Sequence, residues 1–281
     1  MPNAHSLRIN SSPQVPNNAS GVIGHHFLGF GIETASFPDY TSNKPHQNSF
    51  SLNTFSTIAN RTGSPPPIRA GGTLIDHSIF DPSQNQAVTF PEDKDEGYHS
   101  NMTLSASWFE SFTLLEQVKW SLMVPLARKN LSNATEFANA SLDYMADGFD
   151  ALEIGNEPNL YPNANRPLKY NISNFVRQWT HYANVPSGNL SFPAGPNFWV
   201  LSLSSNTDWK TFDGDPLQDT LLNYTLTASK TSGAFQRPIN YLENPTDPIP
   251  FVLGGVGSAI GTGHKDYALQ ASLEAAVWTA D

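Results

Sequence analysis

With 281 residues, a net charge of −10 and only 14% charged residues, the chain is long enough for one large α/β domain or two smaller ones and lacks the basic clusters that nucleic-acid binding needs. It contains no run of about 18 apolar residues, so no membrane-spanning helix is predicted. Cysteine is absent, which removes disulfides and thiolate chemistry from consideration.

Residues 1–24 read as an extended segment outside the main domain, a strand of an accessory β-structure, and residues 25–281 as a barrel domain. Short apolar stretches bounded by Gly, Pro or polar residues predict strands at 26–30, 67–70, 119–125, 151–154, 198–203 and 250–253. Helices are predicted between them. Residues 49–60 carry Leu52, Phe55, Ile58 and Ala59 on one face and stop at the breaker Gly63. Residues 132–145 place Ala134, Phe137, Ala138, Leu142 and Met145 at helical spacing, with Ser132 as the cap. Residues 173–185 repeat the scheme with Phe175, Val176, Trp179 and Ala183, and 266–278 do so after Asp266 through Leu269, Leu273, Ala276 and Val277.

Strand and helix alternate as in a parallel sheet with crossover helices. No Gly-rich phosphate loop follows any strand, which counts against a dinucleotide-binding fold. The spacing fits a (β/α)8 TIM-type barrel. The barrel is incomplete on this reading. Only a helix-like run at 217–228 occupies the region where a sixth strand belongs, the eighth strand is not found, and a C-terminal β-domain is absent.

The run Ala151-Leu152-Glu153-Ile154-Gly155-Asn156-Glu157-Pro158-Asn159-Leu160-Tyr161 carries the chemistry. An apolar strand ends abruptly in Gly-Asn-Glu-Pro, which holds a carboxylate and an amide side by side at a strand end, where parallel α/β folds keep their active groups. A glutamate there suits proton transfer to a leaving-group oxygen, and the amide beside it suits a sugar hydroxyl. Asn-x-Ser/Thr triplets begin at Asn10, Asn18, Asn60, Asn101, Asn130, Asn133, Asn139, Asn171, Asn189 and Asn223, which predicts a secreted product carrying N-glycans, although no signal peptide is visible at the start. His25-His26 and the other histidines show no metal-ligand spacing, so neither metal nor cofactor is predicted.

Four landmarks in order resemble glycoside hydrolase family 79, the retaining β-glucuronidase and heparanase-related enzymes, and the fungal members in particular. They are Phe30-Gly31-Ile32-Glu33-Thr34-Ala35-Ser36-Phe37-Pro38-Asp39-Tyr40, Ile68-Arg69-Ala70-Gly71-Gly72-Thr73, Ala151 to Tyr161, and Ala275-Ala276-Val277-Trp278-Thr279-Ala280-Asp281. The resemblance implies double displacement on a β-linked glucuronide, in which one Glu protonates the departing oxygen and a second, about 5 Å away, attacks the anomeric carbon. Glu157 matches the acid/base and Asn156 the partner of the sugar 2-hydroxyl.

By register the nucleophile falls at Gly255, in Phe251-Val252-Leu253-Gly254-Gly255-Val256. Glycine has no side chain with which to attack, which argues against turnover by this chain. Glu33 and Asp39 are candidates to line the pocket. Arg69 either orients carboxylates there or forms a structural ion pair. Asp76 either binds a hydroxyl or caps a turn, and His264 with Lys265 either meet a uronic carboxylate or stand as solvated loop charges. Two alternatives stay open beside the glucuronidase reading: a non-catalytic remnant that at most binds carbohydrate, and another barrel glycosidase with the same Asn-Glu-Pro strand end.

Overall fold

The structure is a computed structural model that describes residues 24–43, 46–90, 102–162, 166–187 and 198–200, with isolated positions outside these spans. Its centre is a sheet of five strands: β1 (Phe30–Glu33), β2 (Pro67–Gly71), β3 (Lys119–Val124), β4 (Phe149–Ile154) and β5 (Phe198–Val200). They lie side by side in chain order, and every pairing is parallel. That order is how the first strands of a (β/α)8 barrel are laid down, each pairing with its predecessor. An open doubly wound sheet would have reversed direction at a switch point.

Three helices link the strands on the prediction's pattern: α1 (Ser49–Thr62), α2 (Leu131–Met145) and α3 (Ile172–Ser187). Gly63 ends α1 in the left-handed conformation (φ 74°), as its place behind the last helical turn predicts. The cap of α2 differs from expectation. The helix begins at Leu131, and it is the Asn130 side chain that accepts the Asn133 N–H at 3.3 Å, so Ser132 lies inside the first turn.

The first strand also differs. Residues 26–29 stand outside the sheet, with Phe27 76% and Leu28 48% exposed, and pairing starts at Phe30 opposite Ile68. Apolarity alone placed the strand too early, because the residues that must match β2 are Phe30 and Ile32, not His26 to Leu28. Glu33 is therefore the last strand residue and is fixed by the Gly71 register rather than carried on a loop.

The two faces of the sheet divide by alternation. Ile68, Ala70, Trp120, Leu122, Leu152 and Ile154 face the helices and are at most 1% exposed. The other face carries Glu33, Arg69 and Glu153 in register with Gly31, Gly71, Ser121, Met123 and Ala151. An apolar layer thus anchors the sheet to its helices, while the charged side chains Glu33, Arg69 and Glu153 share the opposite face with small residues and Met123.

Between β2 and β3 the chain makes an excursion. Short strands Ser78–Phe80, Val88–Thr89 and Met102–Leu104 form a second sheet, followed by the one-turn helix Ala106–Phe109. An aromatic cluster roots the excursion in the core. Phe37 packs on Trp108 (5.2 Å between ring centroids), Phe112 (4.8 Å) and Trp120 (5.3 Å), and Phe109 packs on Phe137 (5.0 Å). The buried Trp108 Nε1 donates to the Thr34 carbonyl at 3.1 Å, tying the excursion to the turn after β1.

The predicted strand at 250–253 and helices at 217–228 and 266–278 lie outside the described residues, apart from isolated positions. Nearly all of the N-terminal segment 1–24 does so as well. No helix among the described residues is long and apolar enough to cross a membrane.

Candidate active site at the carboxyl end of the sheet

The site is built where β1, β2 and β4 end. β4 keeps its ladder one residue past Ile154, with the Gly155 N–H donating to the Val124 carbonyl at 3.0 Å. The chain then turns through two left-handed residues, Gly155 (φ 76°) and Glu157 (φ 46°, ψ 53°), on either side of Asn156. Glycine accepts such angles freely. A glutamate does so at a cost on the order of 1 kcal/mol or more, and backbone strain of this kind concentrates at functional positions. The Glu157 carbonyl then accepts from Leu160 N–H at 2.8 Å, starting the turn Pro158–Leu160.

Asn156 is held from three sides. Its Oδ1 accepts from Arg69 Nη2 at 3.3 Å, while its Nδ2 donates to Thr73 Oγ1 at 3.3 Å and to Glu157 Oε2 at 3.4 Å. The amide orientation is thereby set by its partners, with the N–H side turned to Glu157. Arg69 is positioned in turn by Glu153, through Nε to Oε2 at 2.6 Å and Nη2 to Oε1 at 3.2 Å. Arg69 thus forms a forked ion pair with Glu153 and at the same time holds the Asn156 amide.

Glu153 was not singled out from the sequence, where it sits between Leu152 and Ile154 in an apolar strand. Strand alternation would have exposed it, since a charged residue inside an apolar strand end must find a partner across the sheet.

Glu33 lies at the end of β1 with its carboxylate against the Cα of Gly72, in the space a Cβ would occupy. Its Oε1 accepts the Thr34 N–H at 3.0 Å. Loss of water raises the Glu33 pKa above the usual carboxylate value, while the Thr34 N–H and the Arg69 charge pull the other way. Asp39 stands apart. It is exposed on the short helix Phe37–Thr41, and among the described residues its side chain joins none of these hydrogen bonds.

Asp76, read from the sequence as a hydroxyl ligand or a cap, is 1% exposed and turned inward. Its Oδ1 accepts the N–H groups of Leu126 (2.8 Å) and Ala127 (3.0 Å), and its Oδ2 accepts the N–H of Asn156 (3.1 Å) and the hydroxyl of Tyr161 (2.5 Å). Both oxygens are fully engaged by the protein, so the expectation of a sugar hydroxyl at Asp76 is corrected. Burial raises its pKa, and the four donors, which favour the ionised form, oppose that rise. Tyr161 is held far above its ordinary pKa by burial and by Asp76, so it remains a proton donor.

Arg166, another residue the sequence did not flag, completes the support. It is 7% exposed and donates from Nη1 to the Ala127 carbonyl (2.9 Å) and from Nη2 to the Leu126 carbonyl (3.0 Å). Its guanidinium lies over the rings of Tyr161 (5.0 Å) and Tyr170 (5.5 Å). Gly255, His264 and Lys265 fall outside the described residues. Among the described residues no group of three His, Asp or Glu side chains is arranged to hold a metal ion.

The parallel β/α sheet in barrel order can be set beside known proteins. The chain is similar to a β-glucuronidase of Aspergillus niger, 27% identical over 331 aligned positions that cover 100% of this chain and 60% of that protein. It is also similar to a β-glucuronidase of Neurospora crassa, 22% identical, covering 99% of this chain and 57% of that protein.

The chain therefore spans about 60% of the length of the curated relatives it matches. Its alignment to the Aspergillus protein is longer than its own 281 residues, so that relative carries internal segments this chain lacks. The fold matches the crystal structure of a 4-O-α-L-rhamnosyl-β-D-glucuronidase from Fusarium oxysporum in complex with Rha-GlcA. That match has a TM-score of 0.63 and 21% identity, over 83% of this chain and 54% of the other. No protein-family model matches the chain. The resemblance read from the sequence, to glucuronidase-related glycoside hydrolases, is the one these relatives support.

Proposed function

We propose that this chain carries the acid/base half of a retaining β-glucuronidase site. The observation that carries the reading is the Asn156–Glu157 pair, set at the end of β4 on a left-handed backbone and wired through Arg69 to Glu153. Glu157 is the proton donor to the departing glycosidic oxygen. Asn156 meets the sugar 2-hydroxyl, and Glu33 lines the same end of the sheet. The ligand is a β-linked glucuronide, which the names of the curated relatives support.

The second reading, binding without turnover, is favoured by Gly255. In a retaining mechanism the anomeric carbon needs a carboxylate to attack it, and glycine supplies none. The two readings are separated by assaying an aryl β-D-glucuronide with the native chain, with Glu157→Ala and with Gly255→Glu. The enzyme reading expects native turnover that Glu157→Ala abolishes. The binding reading expects measurable glucuronide affinity without turnover, and hydrolysis that rises by about two powers of ten or more in Gly255→Glu, or on adding formate as an external nucleophile. A folded chain that neither binds nor hydrolyses glucuronides overturns both. A panel of glucoside and xyloside substrates tests whether another sugar is preferred.

We further propose that the chain passes through a secretory route and is N-glycosylated. The density of Asn-x-Ser/Thr triplets supports this, as does the exposure of Asn60, Asn130, Asn139 and Asn171.

A further inference from the structure

We infer that Asp76 is a positioning residue for the Asn156–Glu157 pair: one buried carboxylate sets the backbone that presents the proton donor. The consequence for catalysis rests on the glucuronidase reading above, whereas the positioning itself rests on geometry alone. Asp76 follows β2, yet its two oxygens bind the chain just after β3, at Leu126 and Ala127, and just after β4, at Asn156 and Tyr161. Three strand ends therefore meet at one side chain. The Asn156 N–H that it holds belongs to the peptide joining left-handed Gly155 to Asn156, one residue before left-handed Glu157. Those angles are unfavourable for a glutamate, and an anchored amide next to them keeps the turn from relaxing.

The chemistry of the four donors makes the proposal specific. With Asn at position 76, the amide oxygen would keep the Leu126 and Ala127 bonds, because the reverse orientation would face an NH2 group against two N–H groups. The NH2 would then point at Tyr161, whose hydroxyl can rotate to accept, and at the Asn156 N–H, which cannot. Two donors would face each other at Asn156 alone. Asp76→Asn thus disturbs the Gly155–Asn156 peptide, one residue before Glu157, and spares the loop after β3. Tyr161→Phe removes one of the two bonds at Oδ2 and loosens the same place to a smaller degree.

The test measures amide hydrogen exchange by NMR on the full chain, together with the affinity of phenyl β-D-glucuronide. Exchange at Asn156 should rise at least tenfold in Asp76→Asn, with Leu126, Ala127 and the core amide of Ile68 changing less than threefold, and glucuronide affinity should fall about tenfold. Tyr161→Phe should show the same localised pattern at a few-fold amplitude, and it carries the test should Asp76→Asn not fold. An unchanged Asn156 amide, or a uniform rise across the chain, overturns the positioning role. A native chain without glucuronide affinity overturns the functional reading instead, and the exchange pattern still decides the role of Asp76.

Discussion

Asp76 and Arg166 grip opposite edges of the same two residues: the N–H groups of Leu126 and Ala127 donate to Asp76, and their carbonyls accept from Arg166. Two oppositely charged, buried side chains are neutralised through the backbone between them, and the loop after β3 has all four of these groups satisfied by charged partners. Such charge-assisted bonds contribute about 1.5–3 kcal/mol each, and a buried charge stripped of its partner costs more than the bond was worth. Arg166→Met should therefore lower stability by about 3 kcal/mol or more, read as a fall in the urea midpoint with an unchanged slope.

At Gly155 a single methyl group meets both backbone strain and collision. Its φ of 76° is left-handed, and an added Cβ would lie 2.8 Å from the Tyr161 hydroxyl and 2.9 Å from Leu126 Cβ. Gly155→Ala should cost about 2–4 kcal/mol from strain and collision together, measured by thermal or chemical melting.

The Arg69–Glu153 pair predicts non-additivity. Glu153 is 5% exposed, so Arg69→Met leaves a buried carboxylate alone and should destabilise by about 2–3 kcal/mol. Arg69→Met with Glu153→Leu should cost less than Arg69→Met by itself. A double-mutant cycle measures the coupling, and additive single effects would show that the pair is not a unit.

Glu33, exposed at the end of β1, supplies a small pH dependence whose sign follows from its raised pKa. A carboxyl whose pKa is raised in the folded state favours folding below its unfolded pKa of about 4.3, and that advantage is lost as the pH rises through the folded value. Glu33→Gln should therefore gain stability over the native chain as the pH goes from about 4 to about 7. Melting temperatures across that range check this, and a gap that narrows with pH contradicts it. Gly72→Ala, by filling the space of the Glu33 carboxylate, should remove most of the same dependence.

The glycosylation proposal sorts its sites. Asn133 donates from Nδ2 to the Phe80 carbonyl at 2.7 Å and accepts the Phe80 N–H at 2.9 Å, which leaves its amide nitrogen committed to the edge of the small sheet. Asn60 and Asn139 are exposed on α1 and α2. Glycopeptide mass spectrometry of protein secreted from a eukaryotic host should find glycan at Asn60 and Asn139 and none at Asn133.

What the sequence made legible followed from local rules. α1 with its Gly63 stop, α2, α3 and the strand end at Asn156-Glu157 are each written in a dozen or so consecutive residues, where periodicity, caps and turn chemistry act. What it hid followed from distance along the chain. Asp76 meets its partners 50 to 85 residues away and Arg69 meets Glu153 across 84, so no window of sequence shows that either carboxylate is taken. The strands at Ser78–Phe80 and Val88–Thr89 are too short to leave a period, and their partner arrives only at Met102–Leu104. Arg166, four residues before Tyr170, reads as one more surface charge until the fold stacks it on two tyrosine rings.

The left-handed backbone at Glu157 also sets the stability of the turn against the identity of its side chain. Glycine or asparagine would sit there with less strain, so Glu157→Gly should stabilise the fold by a few tenths to about 1 kcal/mol. The side chain proposed as the proton donor and the stability of the turn that carries it therefore pull in opposite directions at one residue.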